Sequence, residues 1–365
     1  MIVVGLSGGV DSAYTAYTLK KAGYPLHGIF MKNWEEDDTS DYCSAAEDAK
    51  DAQAVCRALE IPFSVINFAQ DYWQNVFQHF LTEYQKGRTP NPDILCNQEI
   101  KFKVFLEHAQ KMGASHIATG HYARILQGPQ GPQLLRAKDN NKDQTYFLHT
   151  LTQDQLAHSL FPIGETLKTE VKDTIQQLGL SHWQRKESMG ICFIGQRPFK
   201  AFLSEYLPAQ KGEMVTTTGI GLGEHQGLLF YTLGQRQGLH IGGTKEGNGQ
   251  PWYVVGKNLK ENKLVVSQDP EDPHHFSQTV WVENPHWIAG TPTLPYPCTA
   301  KTRYRQNDEA CTVYPDPESP HHLKVVFERP QRAVTPGQSL VWYQGEICLG
   351  GGVIHKTDSV GGLNL

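Results

Sequence analysis

The sequence predicts an α/β protein: a doubly wound parallel sheet, followed by a small β-rich central domain and a C-terminal β-barrel. Apolar strand patterns and amphipathic helix patterns alternate from residue 1 to about residue 120, which is typical of βαβ units. From about residue 207, glycine and β-forming residues dominate and turn signals recur to the C-terminus. Proline-rich segments at 270–273 and 292–297 indicate a further boundary near 275. We therefore expect domains spanning 1–206, 207–275 and 276–365.

The elements of the first domain follow from apolar periodicity and helix-capping signals. Strands are expected at 2–6, 26–31 and 63–68 and at the segment "HIATG". Helices are expected from Ser44, where Glu47 completes a capping-box pattern, then up to about Lys86, over 97–112, and near 152–160 and 168–178; Thr152 and Gln155 form a second capping-box pattern. Ligands of such a sheet bind at the carboxyl ends of its strands, where residues 7–12, Met31 and Gly120 would gather.

The stretch "VVGLSGGVDSA" resembles a phosphate loop that lacks a lysine. An apolar strand leads into Ser7, Gly8 and Gly9, and a helix follows, so that backbone N–H groups and the helix dipole can hold an anion. A Walker-type loop would place a lysine where Val10 and Asp11 stand. Such a loop suits a site that grips the outer phosphates of ATP as a leaving group, so that AMP passes to a substrate oxygen. The string is similar to the phosphate (PP) loop of the ATP pyrophosphatase superfamily, whose members adenylate a carbonyl or carboxylate oxygen.

Composition narrows the class of protein. At 365 residues with 39% hydrophobic and 19% charged residues, the chain is typical of a multidomain globular protein. It has neither a run of about 18 apolar residues nor a signal peptide, so we expect a cytoplasmic protein with no membrane partner. A net charge of −5 gives no overall attraction to nucleic acid. A local basic surface is still available, because the stretch 185–211 carries more basic than acidic residues.

Two of the seven cysteines occupy positions that favour chemistry. An odd number of cysteines without a C-x-x-C pair excludes a disulfide framework and a structural zinc site. In "TPNPDILCNQEIKF", Cys96 stands at the expected start of a helix, where the dipole stabilises a thiolate; a buried helix-capping cysteine is the alternative. Asp93 would oppose a thiolate, so a proton-transferring role suits it better. Cys192 lies in a glycine-flanked loop with basic neighbours, or is a buried loop cysteine. The remaining five are expected to pack in the core: Cys43, Cys56, Cys298, Cys311 and Cys348.

The chain resembles the tRNA-specific 2-thiouridylases over essentially its whole length. The resemblance is carried, in order, by "GLSGGVDS", "FMKNWEEDD", "TPNPDILCN", "ATGHYAR", "KDQTYFL", "GICFIG", "GEHQGL", "YTLGQRQGL", "GGTKEG", "PWYVV", "KTRYRQ", "AVTPGQS" and "CLGGG". Met189 and Gln196 depart from the family pattern beside the second thiol. The resemblance implies 2-thiolation of the wobble uridine of tRNA, with adenylation of the uracil 2-oxygen, release of pyrophosphate, and sulfur transfer with release of AMP.

The same resemblance implies the site residues. The implied ATP-binding residues are Gly5, Leu6, Ser7, Gly8, Gly9, Val10, Asp11, Ser12, Met31 and Gly120. The residues implied to face the target base are Asn91, Pro92 and Asp93, and those implied to contact tRNA elsewhere are Lys142, Asp143, Gln144, Arg303 and Tyr304. Cys192 is implied to carry a persulfide and Cys96 to be its disulfide-forming thiol partner. The persulfide either attacks carbon 2 directly or is released as sulfide, and these alternatives stay open.

Cofactors and partners follow from this reaction. ATP is the activating substrate, Mg²⁺ arrives bound to it, and persulfide sulfur comes from a donor or relay protein. No protein metal site is expected, because "EEDD" at 35–38 is typical of a solvated acidic loop. The run "KTRYR" alternates like a strand, which would place Lys301, Arg303 and Arg305 on one face, able to meet phosphate. We expect a monomer, and we treat His116 and His121 as structural.

Two rival functions remain at this point. A small-molecule adenylating ligase of the same superfamily would not need two paired thiols. A non-catalytic RNA-binding protein would not need an intact Ser7–Ser12 phosphate loop.

Overall fold

The computed structural model describes residues 1–35, 44–179, 197–242 and 247–359. Its strands are β1 Ile2–Leu6, β2 Leu26–Lys32, β3 Phe63–Asn67, β4 His116–Ala118, β5 Ala123–Gly128, β6 Gly131–Arg136, β7 Ser159–Leu160, β8 Gly212–Thr216, β9 Gly221–His225, β10 Tyr253–Asn258, β11 Lys263–Ser267, β12 Phe276–Trp287, β13 Tyr296–Lys301, β14 Glu309–Pro315, β15 His322–Arg332, β16 Ser339–Gln344 and β17 Ile347–Thr357. Its α-helices are α1 Val10–Lys21, α2 Ser44–Ala58, α3 Ala69–Tyr72, α4 Gln78–Gln85, α5 Pro92–Leu95, α6 Phe105–Lys111, α7 Gln153–Ala157, α8 Lys168–Gln177 and α9 Phe199–Tyr206.

Two π-helical segments join short α-helices into longer rods. Trp73–Phe77 connects α3 to α4, and Cys96–Val104 connects α5 to α6. The second rod therefore begins at Pro92, one turn earlier than the sequence predicted, and Cys96 lies inside it. A π-helical segment widens the turn and often marks a functional position in a helix.

The first sheet confirms the doubly wound parallel prediction. Its strand order is β3-β2-β1-β4-β7, and the four pairings are all parallel. The strand β1 is buried along its whole length, which is why it reads as a continuous apolar run. The helix expected over 152–160 is shorter than predicted: α7 ends at Ala157, and Ser159–Leu160 joins the sheet edge. The capping box of Thr152 and Gln155 forms as expected.

The central and C-terminal sheets account for the β-rich half of the sequence. The central sheet has the order β10-β11-β8-β9, with one parallel pairing between β11 and β8. The strands β12 to β17 form an antiparallel barrel that closes through pairing of β12 with β17. Closure removes the exposed edges that an open antiparallel sheet would present.

One hairpin of the first sequence domain hydrogen-bonds to the barrel sheet. The strands β5 and β6 follow the end of β4, and β6 pairs with β17 through Leu134 and Cys348. The largest core cluster accordingly contains Val3 and Ile29 of the parallel sheet together with Val341 and Tyr343 of the barrel. The parallel sheet and the barrel thus share one hydrophobic core. The glycine-rich turn in "LQGPQGPQL" is the sequence signal for this hairpin.

Candidate functional site

A phosphate cradle lies between β1 and α1. Gly8 adopts φ +75°, and a Cβ there would lie 2.8 Å from the carbonyl oxygen of Asp48, so glycine is required for the close approach of α2. The Ser12 hydroxyl accepts a bond from Ser7 N at 3.2 Å and donates to the Gly9 carbonyl oxygen at 2.9 Å, which fixes the loop. Within the residues described, no side chain caps the first turn of α1, whose N–H groups therefore point to an anion site.

The other predicted nucleotide residues lie around this cradle. Gly120 follows β4, and a Cβ there would lie 2.8 Å from both Asp11 C and Ser12 N, so the chain packs directly on the first turn of α1. A Cβ on Gly5 would lie 3.3 Å from the methyl carbon of Met31 on β2. The adjacent carboxyl ends of β1, β2 and β4 therefore bring together the residues that the sequence assigned to ATP.

A lysine from a distant element reaches the phosphate loop. Lys168, the first residue of α8, places its ammonium 2.6 and 2.8 Å from the two carboxylate oxygens of Asp11, and Tyr122 donates its hydroxyl to Asp11 Oδ1 at 3.0 Å. Asp139 accepts the backbone N–H of Lys168 at 3.0 Å and so fixes the start of α8. Sequence reasoning missed Lys168, because 157 positions separate it from Asp11 and only the packing of α8 on α1 reveals the pair.

The predicted target-base loop is held by its own helix cap. Asn91 Oδ1 accepts the N–H groups of Asp93 and Ile94 at 3.2 and 3.4 Å, with Pro92 at the first helical position. Asp93 reaches solvent, whereas Cys96 is buried one turn further on. The surrounding protein desolvates the Asp93 carboxyl and raises its pKa, while the charge of Lys101 acts in the opposite direction. Asp93 is therefore suited to accept or hold a proton at the mouth of the loop.

His121 follows the end of β4. Its ring is buried beside Phe102 and Phe161, and its Nδ1 lies 2.8 Å from the Thr119 hydroxyl. Burial, and then the charge of Lys101, hold the pKa of His121 well below its usual range. His121 is therefore neutral at physiological pH, in agreement with a structural role.

The segment Lys142–Gln144 divides into buried and accessible parts. The Asp143 carboxylate is buried and accepts hydrogen bonds from Ala137 N at 3.0 Å and from the Thr145 hydroxyl at 2.8 Å. Gln144 Oε1 accepts the N–H of Tyr122 at 2.9 Å. Asp143 and Gln144 thus hold the loop in place, and Lys142 is the half-buried cation of the three.

The strand expected over "KTRYR" ends early, which corrects the prediction of one basic face. β13 stops at Lys301, and the next four residues form a bend and turn with Thr302 fully buried. The Arg303 guanidinium turns inward and donates to the carbonyl oxygens of Leu233 and Ala333 at 2.6 and 2.8 Å. The Tyr304 ring packs on Phe147 with 4.5 Å between centroids. Arg303 therefore joins the central domain to the barrel, because its half-buried guanidinium donates to carbonyl oxygens of both.

The remaining thiols are distributed as follows. Cys43 lies outside the described residues, as does Cys192, the predicted partner of Cys96. Burial raises the pKa of the Cys56 and Cys348 thiols to about 12, which suits packing rather than reactivity. Cys298 and Cys311 face each other across β13 and β14, with 3.7 Å between their sulfur atoms.

Over 1–35, 44–179, 197–242 and 247–359, no cluster of three or more histidine, cysteine or acidic side chains could hold a metal ion. No helix in that part of the chain combines the length and apolar character needed to cross a bilayer.

Family models and curated relatives match this chain over nearly its whole length. Residues 1–196 match the family model described as tRNA methyl transferase HUP domain, 200–268 the tRNA methyl transferase PRC-barrel domain, and 277–354 the aminomethyltransferase β-barrel domain. A protein of Vibrio cholerae serotype O1 named tRNA-specific 2-thiouridylase MnmA is 56% identical over 97% of this chain and 96% of its own. Proteins of the same name from Proteus mirabilis and Psychromonas ingrahamii are 57% and 54% identical, again over 97% of this chain and 96% and 97% of theirs.

Proposed function

The chain belongs to the tRNA-specific 2-thiouridylase family, and on that premise we propose that it converts uridine 34 of tRNA to 2-thiouridine at the expense of ATP. The proposal places the reaction in the cytoplasm, carried out by a monomer that receives its sulfur from a donor or relay protein. The observation that carries it is the phosphate cradle between β1 and α1 in a chain that matches thiouridylases over 97% of its length; Ile94 and Cys96 of the predicted target-base loop pack in the same core cluster as Val3 of β1 and Ile29 of β2. The words methyl transferase in two family descriptions carry less weight than full-length relatives more than half identical.

Activation uses the phosphate cradle. The outer phosphates of ATP bind at the N–H groups of Gly8, Gly9 and the first turn of α1, which stabilise the negative charge that develops on pyrophosphate as it leaves. The uracil 2-oxygen attacks the α-phosphorus, the bond between the α-phosphorus and the bridging oxygen breaks, and the nucleobase becomes an O-adenylate. Mg²⁺ enters as the counter-ion of the ATP phosphates.

Asp93 takes part in proton transfer. When the 2-oxygen bonds to phosphorus, N3 of the uracil loses its proton, and the Asp93 carboxylate is the base we assign to it. The raised pKa makes this carboxylate a stronger base than an ordinary aspartate, and its exposure leaves it accessible to an extracted nucleotide. Asn91 contributes by fixing the turn on which Asp93 stands.

Sulfur transfer uses Cys192 and Cys96. In one route the terminal sulfur of a Cys192 persulfide attacks carbon 2, AMP leaves, and the Cys96 thiolate then attacks Cys192 Sγ, releasing 2-thiouridine and forming a Cys96–Cys192 disulfide. In the other route Cys96 attacks first and liberates sulfide, which displaces AMP. Both routes leave the same disulfide, and two electrons from an external thiol reductant restore the two thiols.

Contacts with tRNA complete the proposal. Lys142 supplies charge toward phosphate, and Tyr304 lies on the aromatic surface of Phe147, where an unstacked base can be held. Asp143, Gln144 and Arg303 support these contacts by holding the loops that carry them, through hydrogen bonds that are buried for Asp143 and partly buried for Gln144 and Arg303.

The test is nucleoside mass spectrometry of unmodified tRNA after incubation with the protein, ATP, Mg²⁺, a reductant and a sulfide source. We expect 2-thiouridine at position 34 and pyrophosphate release that depends on tRNA. Under protein-bound persulfide as the only sulfur source, Cys96→Ser and Cys192→Ser are expected to abolish product. Pyrophosphate release with a small molecule and without tRNA would instead support an adenylating ligase. Binding of tRNA without either product would support a non-catalytic protein.

A further inference from the structure

The four residues Gly87–Pro90, here called the joint, connect the end of α4 to the target-base loop. The central domain contacts the joint through two side chains. Lys257 of β10 is buried and donates its ammonium to the Gly87 carbonyl oxygen at 3.0 Å. The Thr232 hydroxyl lies 3.3 Å from that of Thr89. The joint directly precedes the target-base loop, and these two contacts tie it to the central domain.

The barrel domain hydrogen-bonds to the backbone of the joint at Thr89. Thr89 N donates to the Pro336 carbonyl oxygen at 3.0 Å, and Gln338 Nε2 donates to the Thr89 carbonyl oxygen at 2.7 Å. Gly337 adopts φ +91°, and a Cβ there would lie 2.9 Å from Thr89 N. The barrel loop thus packs against the joint as closely as two backbones allow.

The Arg88 side chain connects the joint to α4 and to two strands of the barrel. Its guanidinium is 2.5 Å from Glu283 Oε1 of β12, donates to the Ile354 carbonyl oxygen of β17 at 3.0 Å, and lies 3.2 Å from Glu83 Oε2 of α4. The side chain is 11% exposed, so these partners act with little screening by solvent. Nη2 makes both barrel contacts and Nε forms an ion pair with Glu83 without a hydrogen bond, so one planar guanidinium fork contacts α4 and two barrel strands.

We propose that Arg88 is a positioning residue for thiolation: it sets the place of Asp93 and Cys96 by locking the joint to the barrel. This inference rests on the proposed function of the Asn91–Cys96 loop. Between Arg88 and Asp93 the chain has little freedom, because Thr89 is bonded on both sides, Pro90 and Pro92 restrict the backbone, and Asn91 caps the helix. A shift of the joint is therefore transmitted to the loop rather than absorbed.

The consequence for catalysis is geometric. The adenylated base, Asp93 and the two thiols have to meet within bonding distance, and a misplacement of about 1 Å costs on the order of a hundredfold in rate. Loss of the Arg88 fork is expected to affect the rate of sulfur transfer more than the binding of ATP, because the phosphate cradle on α1 has no contact with the joint in the hydrogen bonds and ion pairs described.

The experiment compares Arg88→Met, Arg88→Lys, Glu283→Gln and the double variant Arg88→Met/Glu283→Gln with Arg124→Met. Arg124 is a matched control, since it also pairs with two acidic side chains, Glu165 and Glu346, but away from the joint. Three quantities are measured on reduced protein: kcat for 2-thiouridine formation, KM for ATP, and the rate at which iodoacetamide alkylates Cys96, read by peptide mass spectrometry.

For Arg88→Met we expect kcat to fall about a hundredfold, KM for ATP to change less than about threefold, and alkylation of the buried Cys96 to accelerate about tenfold. Arg88→Lys is expected to lie between wild type and Arg88→Met, because an ammonium cannot span three partners. Adding Glu283→Gln to Arg88→Met should change little more, since the two act as a unit. Arg124→Met should match wild type in all three quantities.

Wild-type kcat and unchanged Cys96 reactivity in Arg88→Met would overturn the proposal. Equal losses in Arg124→Met would also overturn it, because they would show general destabilisation. If wild-type protein makes no 2-thiouridine, the proposed function fails separately, and the alkylation rates still report whether Arg88 holds the loop.

Discussion

The ammonium of Lys168 lies 2.6 Å from Oδ1 of Asp11, so a lysine does serve the phosphate loop, supplied by α8 rather than by the loop itself. It neutralises the one carboxylate in the first turn of α1, which would otherwise repel pyrophosphate. The ammonium thus offsets a negative charge beside the N–H groups at which we propose that the outer phosphates of ATP bind.

Lys168→Met is expected to raise KM for ATP about tenfold, which corresponds to about 1.4 kcal/mol. The Asp11 charge would then face the bound phosphates without the Lys168 ammonium, while the Tyr122 hydroxyl would still donate to it. ATP-dependent pyrophosphate release at saturating tRNA measures the effect. Lys172→Met, an exposed lysine on the same helix, serves as the control, and Asp11→Asn added to Lys168→Met should recover part of the loss. Equal KM values for the two lysine variants would contradict this account.

Gly120→Ala is expected to lower kcat/KM for ATP about a hundredfold. The new methyl group would meet backbone atoms of Asp11 and Ser12 at 2.8 Å, and the first turn of α1 would have to move. Gly242→Ala is the control, because a Cβ there has no neighbour within 4 Å. Steady-state kinetics and ATP binding by calorimetry check the result, and an unaltered affinity would show that Gly120 does not shape the cradle.

Asp93→Asn is expected to remove the acid limb of the pH profile of kcat/KM along with most of the activity. That limb should lie above the pH of about 4 at which an ordinary aspartate titrates, because the folded protein raises this pKa. The raised pKa makes the contribution of Asp93 to stability change with pH in the opposite direction to that of a salt-bridged aspartate. The protonated form is favoured in the folded state, so the contribution is present below the ordinary pKa and is lost as pH rises through the folded pKa.

Asp93→Asn should therefore be slightly more resistant to urea than wild type at neutral pH, while the two converge at low pH. Urea unfolding across the pH range checks this. A variant that is less stable than wild type at neutral pH would indicate that the carboxylate makes favourable contacts that its raised pKa contradicts.

Asp143→Ala and Lys142→Ala are expected to fail in different ways. Removing the buried Asp143 carboxylate leaves Ala137 N and the Thr145 hydroxyl without their acceptor, so the free energy of unfolding should fall by about 1–3 kcal/mol. Lys142→Ala should leave stability within about 0.5 kcal/mol but reduce the slope of log affinity for tRNA against log salt by roughly 0.7–0.9. Urea unfolding and filter binding at several salt concentrations separate the two. If Asp143→Ala lowered the salt slope and Lys142→Ala did not, the assignment of the phosphate contact to Lys142 would be wrong.

Cys298 and Cys311 provide a check on the expectation that the other cysteines only pack. Their sulfur atoms are 3.7 Å apart on directly paired residues, so Cys298→Ser should cost no more than about 1 kcal/mol and leave thiolation unchanged. Thermal unfolding and product formation measure both. A loss of turnover comparable to that of Cys96→Ser would give this pair a part in sulfur transfer.

The sequence alone determined the fold class, the phosphate loop and the loop that carries Asp93 and Cys96. These depend on local signals: an apolar run such as Ile2–Leu6 reads as a buried strand, and Gly8 permits a left-handed turn. The helix start at Pro92, capped by Asn91, is earlier than the predicted start at about residue 97. Local rules gave the wrong outcome at Lys301–Arg305, because the inward turn of Arg303 is set by the carbonyl groups of Leu233 in the central domain and of Ala333, 30 residues further along the barrel domain.

Only the tertiary structure decided which distant residues act together. Lys168 meets Asp11, the hairpin β5–β6 extends the barrel sheet, and Arg88 meets Glu283, although none of these pairs is adjacent in sequence. Charged and backbone polar groups that become buried need partners, and those partners can come from any part of the chain. The hydrophobic periodicity of the sequence does not indicate which residues they are. The sequence therefore specified the parts of the site, and packing of the three sheets specified how they are held.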